Sequence, residues 1–234
     1  MIEFFRLPHT PHRFWLGDGE PRDDKVLEPG DVDELLAGEV VVEEKVDGAN
    51  LGFSVDDAGD LQAQNRGSYL QRESAHPQFR PLWSWLAPRR EGLVDALFPD
   101  LILFGEWCYA THSVAYTRLP DWFLGFDVYD RAAGQFWDST RRDELLRDLG
   151  LAAVPRLFRG RATVPDLVRR LGKSSLADGP MEGAVVRREE VRWTAGRAKL
   201  VNAGFTQAIE AHWSRGPLRP NQLSPGAAGH SLQR

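Results

Sequence analysis

Cysteine is almost missing: Cys108 is the only one in 234 residues, which excludes an internal disulfide framework and a cysteine-based zinc site. Its apolar neighbours suit a packed thiol better than a reactive one. No apolar run approaches the roughly 20 residues that a membrane helix needs. The opening MIEFFRLPHT carries an acid and a proline where a signal peptide has a basic and then an apolar stretch. A cytoplasmic protein is expected. Positive charge is not in surplus: 29 Lys and Arg against 34 Asp and Glu leave a net charge of −5. That excludes coating of nucleic acid by bulk attraction and permits only a local basic groove. No internal repeat is visible. What the chain does have is 42% hydrophobic residues and eight tryptophans, enough to bury the core of one large domain.

The sequence divides into an irregular Pro-, Gly- and Asp-rich lead-in to about residue 38, a patterned middle, and a Gly-, Pro-, Ser- and Gln-rich end. A domain over 1–214 and a disordered tail over 215–234 are expected. EVVVEEKV, LGFSVDD and LQAQNR read as an antiparallel meander that puts Lys45 at a strand end. Two short helices broken at Pro88 follow between Gln78 and Phe98, then the strands LILFGEW and WFLGFDVYD. DSTRRDELLRDLG has a capped start, a leucine face and a terminal glycine, hence a helix, and VPDLVRRLG a second. MEGAVVRREEVRWTAGRAKLVN reads as a hairpin and FTQAIEAHW as a closing helix.

Taken by itself, the lysine of EEKVDGAN is either a surface residue before an ordinary Asp-Gly turn or a nucleophile that needs help to shed its proton. Its company decides. Along the chain stand EKVDG (Glu44 to Gly48), FGEW (Phe104 to Trp107), FLGFDVYD (Phe123 to Asp130), MEGAVV (Met181 to Val186) and RAKLV (Arg197 to Val201). This ordered series resembles the covalent nucleotidyltransferase superfamily of ATP-dependent RNA ligases, DNA ligases and capping enzymes, and five short motifs in order are more specific than any one. The resemblance implies an α+β nucleotidyltransferase fold, an ATP-grasp-like ligase adenylation domain of antiparallel sheets with peripheral helices.

Residue by residue, the resemblance makes Lys45 the nucleophile that attacks the α-phosphate of ATP to give lysyl-AMP, and Lys199 a phosphate-binding lysine. Arg197, two residues earlier on the same strand face, shares that duty where the family usually has a second lysine. Asp47, Glu106 and Glu182 correspond to carboxylates that hold the waters of Mg²⁺ or Mn²⁺. Phe126 matches the aromatic that stacks on adenine, with Asp127 expected on the opposite strand face. Glu44 sets the backbone at the adenine edge, Gly48 joins the nucleotide-binding set, and Asn50 and Arg66 contact sugar or phosphate. His9 and His12, in HTPH, are candidates to cover the triphosphate, and His112 with Ser113 and Tyr116 to touch a polynucleotide end; a lone histidine is also commonly a satisfied structural residue. The basic groups Arg156, Arg159, Arg161, Arg169, Arg170 and Lys173 suit a phosphate-tracking surface and a solvated face equally.

Flanking words, NRGSYL after the lysine and HSVAY in the middle, are similar to the nick-sealing phage-type RNA ligase branch. DNA ligases and capping enzymes are less close, since their Arg-x-Asp-Lys motif in a C-terminal OB domain has no counterpart after Trp213; Arg22 to Lys25 spell it ahead of the nucleophile, by chance. The implied activity is ATP-dependent joining of RNA 5′-phosphate and 3′-hydroxyl ends, with nicked or structured RNA as partner and a repair protein as a possible second one. The alternatives are a DNA ligase, a self-adenylating nucleotidyltransferase that needs a partner to seal, and a binding scaffold without chemistry.

Overall fold

A computed structural model describes residues 4–11, 27–202, 205 and 217–227. After α1 (Pro29–Leu36) the chain runs through β1 (Val40–Lys45), β2 (Ala49–Val55) and β3 (Leu61–Gln64) to the helices α2 (Leu82–Leu86) and α3 (Arg90–Leu97). Strands β4 (Leu101–Trp107), β5 (Phe123–Asp130) and β6 (Gln135–Phe136) lead to α4 (Ser139–Asp148). Then come β7 (Ala152–Ala153), β8 (Arg156–Gly160), α5 (Val164–Arg169), β9 (Gly183–Glu190) and β10 (Trp193–Val201).

Two sheets result. One has the order β10-β9-β1-β8 and is antiparallel throughout; the other has β3-β2-β4-β5-β6, with β7 added parallel to β5. The meander expected from the sequence is therefore divided between the sheets. β1 pairs with β9, so that Lys45 lies opposite Gly183, whereas β2 pairs with β3 and β4. The three residues between Lys45 and Ala49 carry the chain across. Gly48 allows the crossing, because a Cβ there would stand 2.7 Å from the Trp107 carbonyl oxygen.

Period-two alternation assigns the faces. Val40 and Val42 of β1 enter a small core with Ala184, Val186, Ala198 and Leu200, while Glu43 and Lys45 point the other way. Leu51, Phe53 and Val55 of β2 pack with Leu103 and Trp107 of β4 against Trp85, Leu93 and Leu97, the main core. Phe53 stacks on Trp85 at 5.9 Å between ring centroids. On the opposite face, Ile102 and Phe104 are covered by Leu7, and Phe5 stacks on Tyr129 at 3.9 Å.

Helix signals mostly hold. Asp138 caps α4 by accepting from the Arg141 amide, Thr163 and Asp166 form a capping box on α5, and a 3₁₀ turn containing Pro88 separates α2 from α3. Helix α1 lies in the stretch read as irregular. Its Pro29 and Gly30 look like turn residues, but proline is tolerated in the first helical turn, and Val32 and Leu35 supply a short buried stripe. The tail differs too: within residues 217–227 Leu223 enters the main core and Asn221 is buried, so the disorder expected of this stretch does not hold at these anchors. The closing helix proposed for FTQAIEAHW falls, apart from Phe205, outside the described residues, as do His12 and the Arg22 to Lys25 run. No helix among the described residues is long and apolar enough to cross a membrane.

Candidate active site

Between the two sheets lies a cavity of about 390 Å³ lined from one side by Lys45, Val185, Arg187 and Lys199, and from the other by Asn50, Glu106, Phe126 and Asp127. Glu44, Gly48, Arg66, His9 and Thr10 complete its wall. Of the eleven residues that the resemblance assigns to catalysis, nucleotide or metal, eight converge on one space: Lys45, Lys199, Glu44, Gly48, Asn50, Arg66, Glu106 and Phe126.

Lys45 ends β1 with its ammonium on both oxygens of Glu182, at 2.6 and 2.7 Å. Burial by itself lowers the pKa of a lysine, but the charges of Glu182, Glu106 and Asp47 outweigh it, and the Lys45 pKa moves up. Glu106 stands in the reverse balance. Burial raises it first, Glu182 and Asp47 add to that, Lys45 opposes, and the carboxyl titrates at about 8. Asp47 turns away from the cavity: its Oδ2 accepts from the Ser113 and Val114 amides at 2.6 and 2.9 Å, and its own amide donates to the Tyr116 hydroxyl at 2.7 Å. Among the described residues no group of three His, Cys, Asp or Glu side chains is arranged to ligate a metal directly. Glu106 and Glu182 beside the ammonium are nevertheless donors that a hydrated divalent cation fits, since such an ion binds through few carboxylates and keeps its waters, whereas the position of Asp47 does not support the metal role expected of it.

The far wall owes its shape to a bulge. Phe104 pairs with Asp127 and Gly105 with Gly125, which leaves Phe126 as the extra residue of β5. The bulge brings both Phe126 and Asp127 to the cavity, correcting the expectation that they face opposite ways. Its signal in the sequence is the glycine pair: a Cβ on Gly105 would lie 2.3 Å from the Phe123 ring, and one on Gly125 2.6 Å from Leu146.

Beneath Phe126 runs a buried ionic network that the sequence reading missed. Glu43 binds Arg142 at 2.6 Å and Arg187 at 2.7 Å, Arg187 binds Asp127 at 2.6 Å, and both arginines donate to the Phe126 carbonyl. Burial pushes the Glu43 carboxyl up, but the two guanidinium groups prevail and hold it at about 2. Arg197 is part of this network and not of the cavity wall: it is paired with Asp127, and its guanidinium lies 4.3 Å from the Phe136 ring centroid. Its phosphate-binding role is not supported by that position. Nothing in Arg187 or Arg142 distinguishes them in sequence from the surface arginines around them; the register of β1 against β9 brings Arg187 to Glu43, and Arg142 reaches it from α4.

The other candidates are placed as follows. The Glu44 carboxylate is buried on Ser174 and Ser175, so it is the backbone of this residue that serves the cavity. Asn50 Oδ1 is buried without a hydrogen-bond partner. Arg66 donates to His9 Nδ1 at 3.2 Å, and the Lys199 amide donates to the Pro11 carbonyl at 2.9 Å, which ties residues 4–11 across the opening. His112 pairs with the Gln78 side chain at 2.9 Å, and burial lowers its pKa. Of the basic groups, Arg156, Arg159 and Arg169 are paired with Asp143, Glu189 and Asp166, and Arg170 lies over Phe158, which favours the structural alternative for these four.

Comparison with solved structures finds this fold in RNA ligase from Naegleria gruberi. A variant of it with ATP and Mn superposes with a TM-score of 0.62 at 18% identity, over 77% of this chain and 55% of that one. The ligase with pyrophosphate gives 0.60 at 20% identity over 77% and 54%, and a variant with AMP and Mn gives 0.59 at 17% over 77% and 55%. The chain therefore spans about half the length of these ligases. A search of curated protein sequences yields no match. The model of the RNA ligase family matches residues 38–201, from the start of β1 through the end of β10, and takes in all five motifs. By that match, the chain belongs to the RNA ligase family.

Proposed function

We propose that the chain is an ATP-dependent RNA ligase that joins 5′-phosphate and 3′-hydroxyl ends through an AMP carried on Lys45. The observation that supports this best is the placement of the Lys45 ammonium in a nucleotide-sized cavity, with Phe126 on the facing wall and Lys199 beside it. The structural neighbours, held with ATP, AMP or pyrophosphate, are consistent with such a cavity.

In the first step the Lys45 amine gives up a proton, for which Glu182 Oε1 at 2.6 Å is the acceptor in reach, and attacks the α-phosphorus of ATP. The N–P bond forms as the bond from the α-phosphorus to the bridging oxygen breaks, and pyrophosphate leaves. Phe126 offers a face for the purine, and Asn50 Oδ1, lacking a partner, accepts from a ribose hydroxyl. Lys199 and Arg66 compensate phosphate charge. Glu106 and Glu182 would hold a hydrated divalent cation, which would supply further positive charge to the phosphates. An oxygen of the RNA 5′-phosphate then attacks the same phosphorus and Lys45 leaves as the amine. Last, the 3′-hydroxyl attacks the 5′-phosphate and AMP leaves. Nicked or structured RNA is the proposed substrate class, with a repair protein as a further partner.

Intact-mass analysis after incubation with ATP and Mg²⁺ or Mn²⁺ tests the reading. One AMP on Lys45, removed by pyrophosphate and absent in Lys45→Ala, is expected. A wild-type chain that stays unmodified, including after pyrophosphate has stripped any AMP already carried, refutes it. Nicked duplexes with a ribose or a deoxyribose at the 3′-hydroxyl separate RNA from DNA joining.

A further inference from the structure

The segment Pro217–Ala227 lies outside the residues that the family model matches, yet it is built into the support of the nucleophile turn. Asn221, 4% exposed, is its hub. Asn221 Nδ2 donates to the carbonyls of Cys108 and Ala110 at 2.8 and 3.2 Å, and Oδ1 accepts from the Tyr116 amide at 2.9 Å and the Thr111 hydroxyl at 2.8 Å. Every hydrogen-bonding position of this amide side chain is thus used. Backbone bonds extend the clasp: Asn221 to Tyr109, Gln222 to Tyr116, Leu119 to Gln222 and Ser224 to Leu119. Leu223 anchors it in the main core.

What it clasps is the loop between Cys108 and Leu119, and that loop holds the turn after Lys45. Tyr116 Oη accepts from the Asp47 amide at 2.7 Å, and the Ser113 and Val114 amides hold the Asp47 carboxylate. The line of contact from Asn221 through Tyr116 to Asp47 ends two residues from the lysine that carries the chemistry. We infer that Pro217–Ala227 is a positioning strap for the adenylation step, with Asn221 and Tyr116 as positioning residues that fix the Lys45–Gly48 turn. The inference rests on the adenylation reading above. A chain of hydrogen bonds through the buried side chains of Asn221 and Tyr116 transmits displacement, and misplacing a nucleophile by a fraction of an ångström slows the transfer without altering how the purine binds.

The test is single-turnover formation of the Lys45 adduct in the full chain, followed over a range of ATP concentrations, for wild type, Asn221→Ala, Tyr116→Phe and the double variant. The strap predicts that each single variant lowers the maximal rate by about tenfold or more while half-saturating ATP stays within about twofold. It also predicts that the double variant is no slower than the worse single, because both act through one path. Should Asn221→Ala not fold, Thr111→Val removes one of the four bonds with little change in shape and takes its place. Wild-type maximal rates in these variants, whatever their thermal midpoints, overturn the strap, as does strict multiplication of the two effects. Failure of the wild-type chain to form any adduct would overturn the adenylation reading, and the strap with it.

Discussion

Replacing Glu43 by Gln keeps the shape of a side chain that is 1% exposed and removes the charge that Arg142 and Arg187 share beneath Phe126. The structure holds this carboxyl at about 2 against an ordinary 4.5. At about 1.4 kcal/mol for each pH unit of separation, that difference is worth about 3 kcal/mol at neutral pH. The sign follows from a depressed carboxylate: the contribution is fully present above the unfolded value of 4.5 and is lost as pH falls toward the folded value of about 2. Breaking a buried pair by removing one partner generally costs a similar amount. Urea unfolding of wild type and Glu43→Gln at pH 7 and again at pH 3.5 measures it. The variant should lose about 3 kcal/mol at pH 7, and the gap should narrow by about 1 kcal/mol at pH 3.5. Equal stabilities at pH 7, or a gap that does not change with pH, would refute the view that this network is held by the ionised form of Glu43.

Four further predictions concern the cavity and its supports. Because Glu106 titrates at about 8, binding a divalent cation there at neutral pH displaces a proton; apparent Mn²⁺ affinity, followed by calorimetry in buffers of different ionisation enthalpy, should rise about tenfold per unit between pH 6 and 8, and that slope should vanish in Glu106→Gln. The same raised value makes the metal-free protein lose stability as pH climbs from 4.5 through 8, a loss that Glu106→Gln should reduce in thermal melts, leaving the part owed to Glu182, whose carboxyl burial also pushes up. Gly48→Ala puts a methyl group 2.7 Å from the Trp107 carbonyl oxygen, so a destabilisation of about 1–3 kcal/mol and slower adduct formation are expected, with a wild-type urea midpoint as the contrary result. Leu223→Ala should cost about 2 kcal/mol; no change would mean that the tail does not contribute to the core.

The sequence was enough for whatever depends on local pattern. EVVVEEK, FLGFDVYD and the capped DSTRRDELLRD carry their period and their stop signals within a dozen residues, and the motifs around Lys45, Glu106, Phe126, Glu182 and Lys199 are contiguous words in chain order. Family, fold class and most of the cavity wall were legible for that reason. Tertiary structure alone decided the rest, because it depends on which strand pairs with which. The three residues between β1 and β2 look like a hairpin turn and prove to be a passage between sheets, since only the assembled fold offers β9 to Lys45 and β4 to Asn50. One extra residue in β5 turns Phe126 and Asp127 to the same cavity, which alternation by itself forbids. Arg187 and Arg197 read as ordinary strand arginines, and pairing with Glu43 and Asp127 across long sequence separations gives them their place in the network. The tail read as disordered because composition records how little apolar surface it has, whereas Asn221 is held by hydrogen bonds to partners more than a hundred residues away, an interaction that no local pattern encodes.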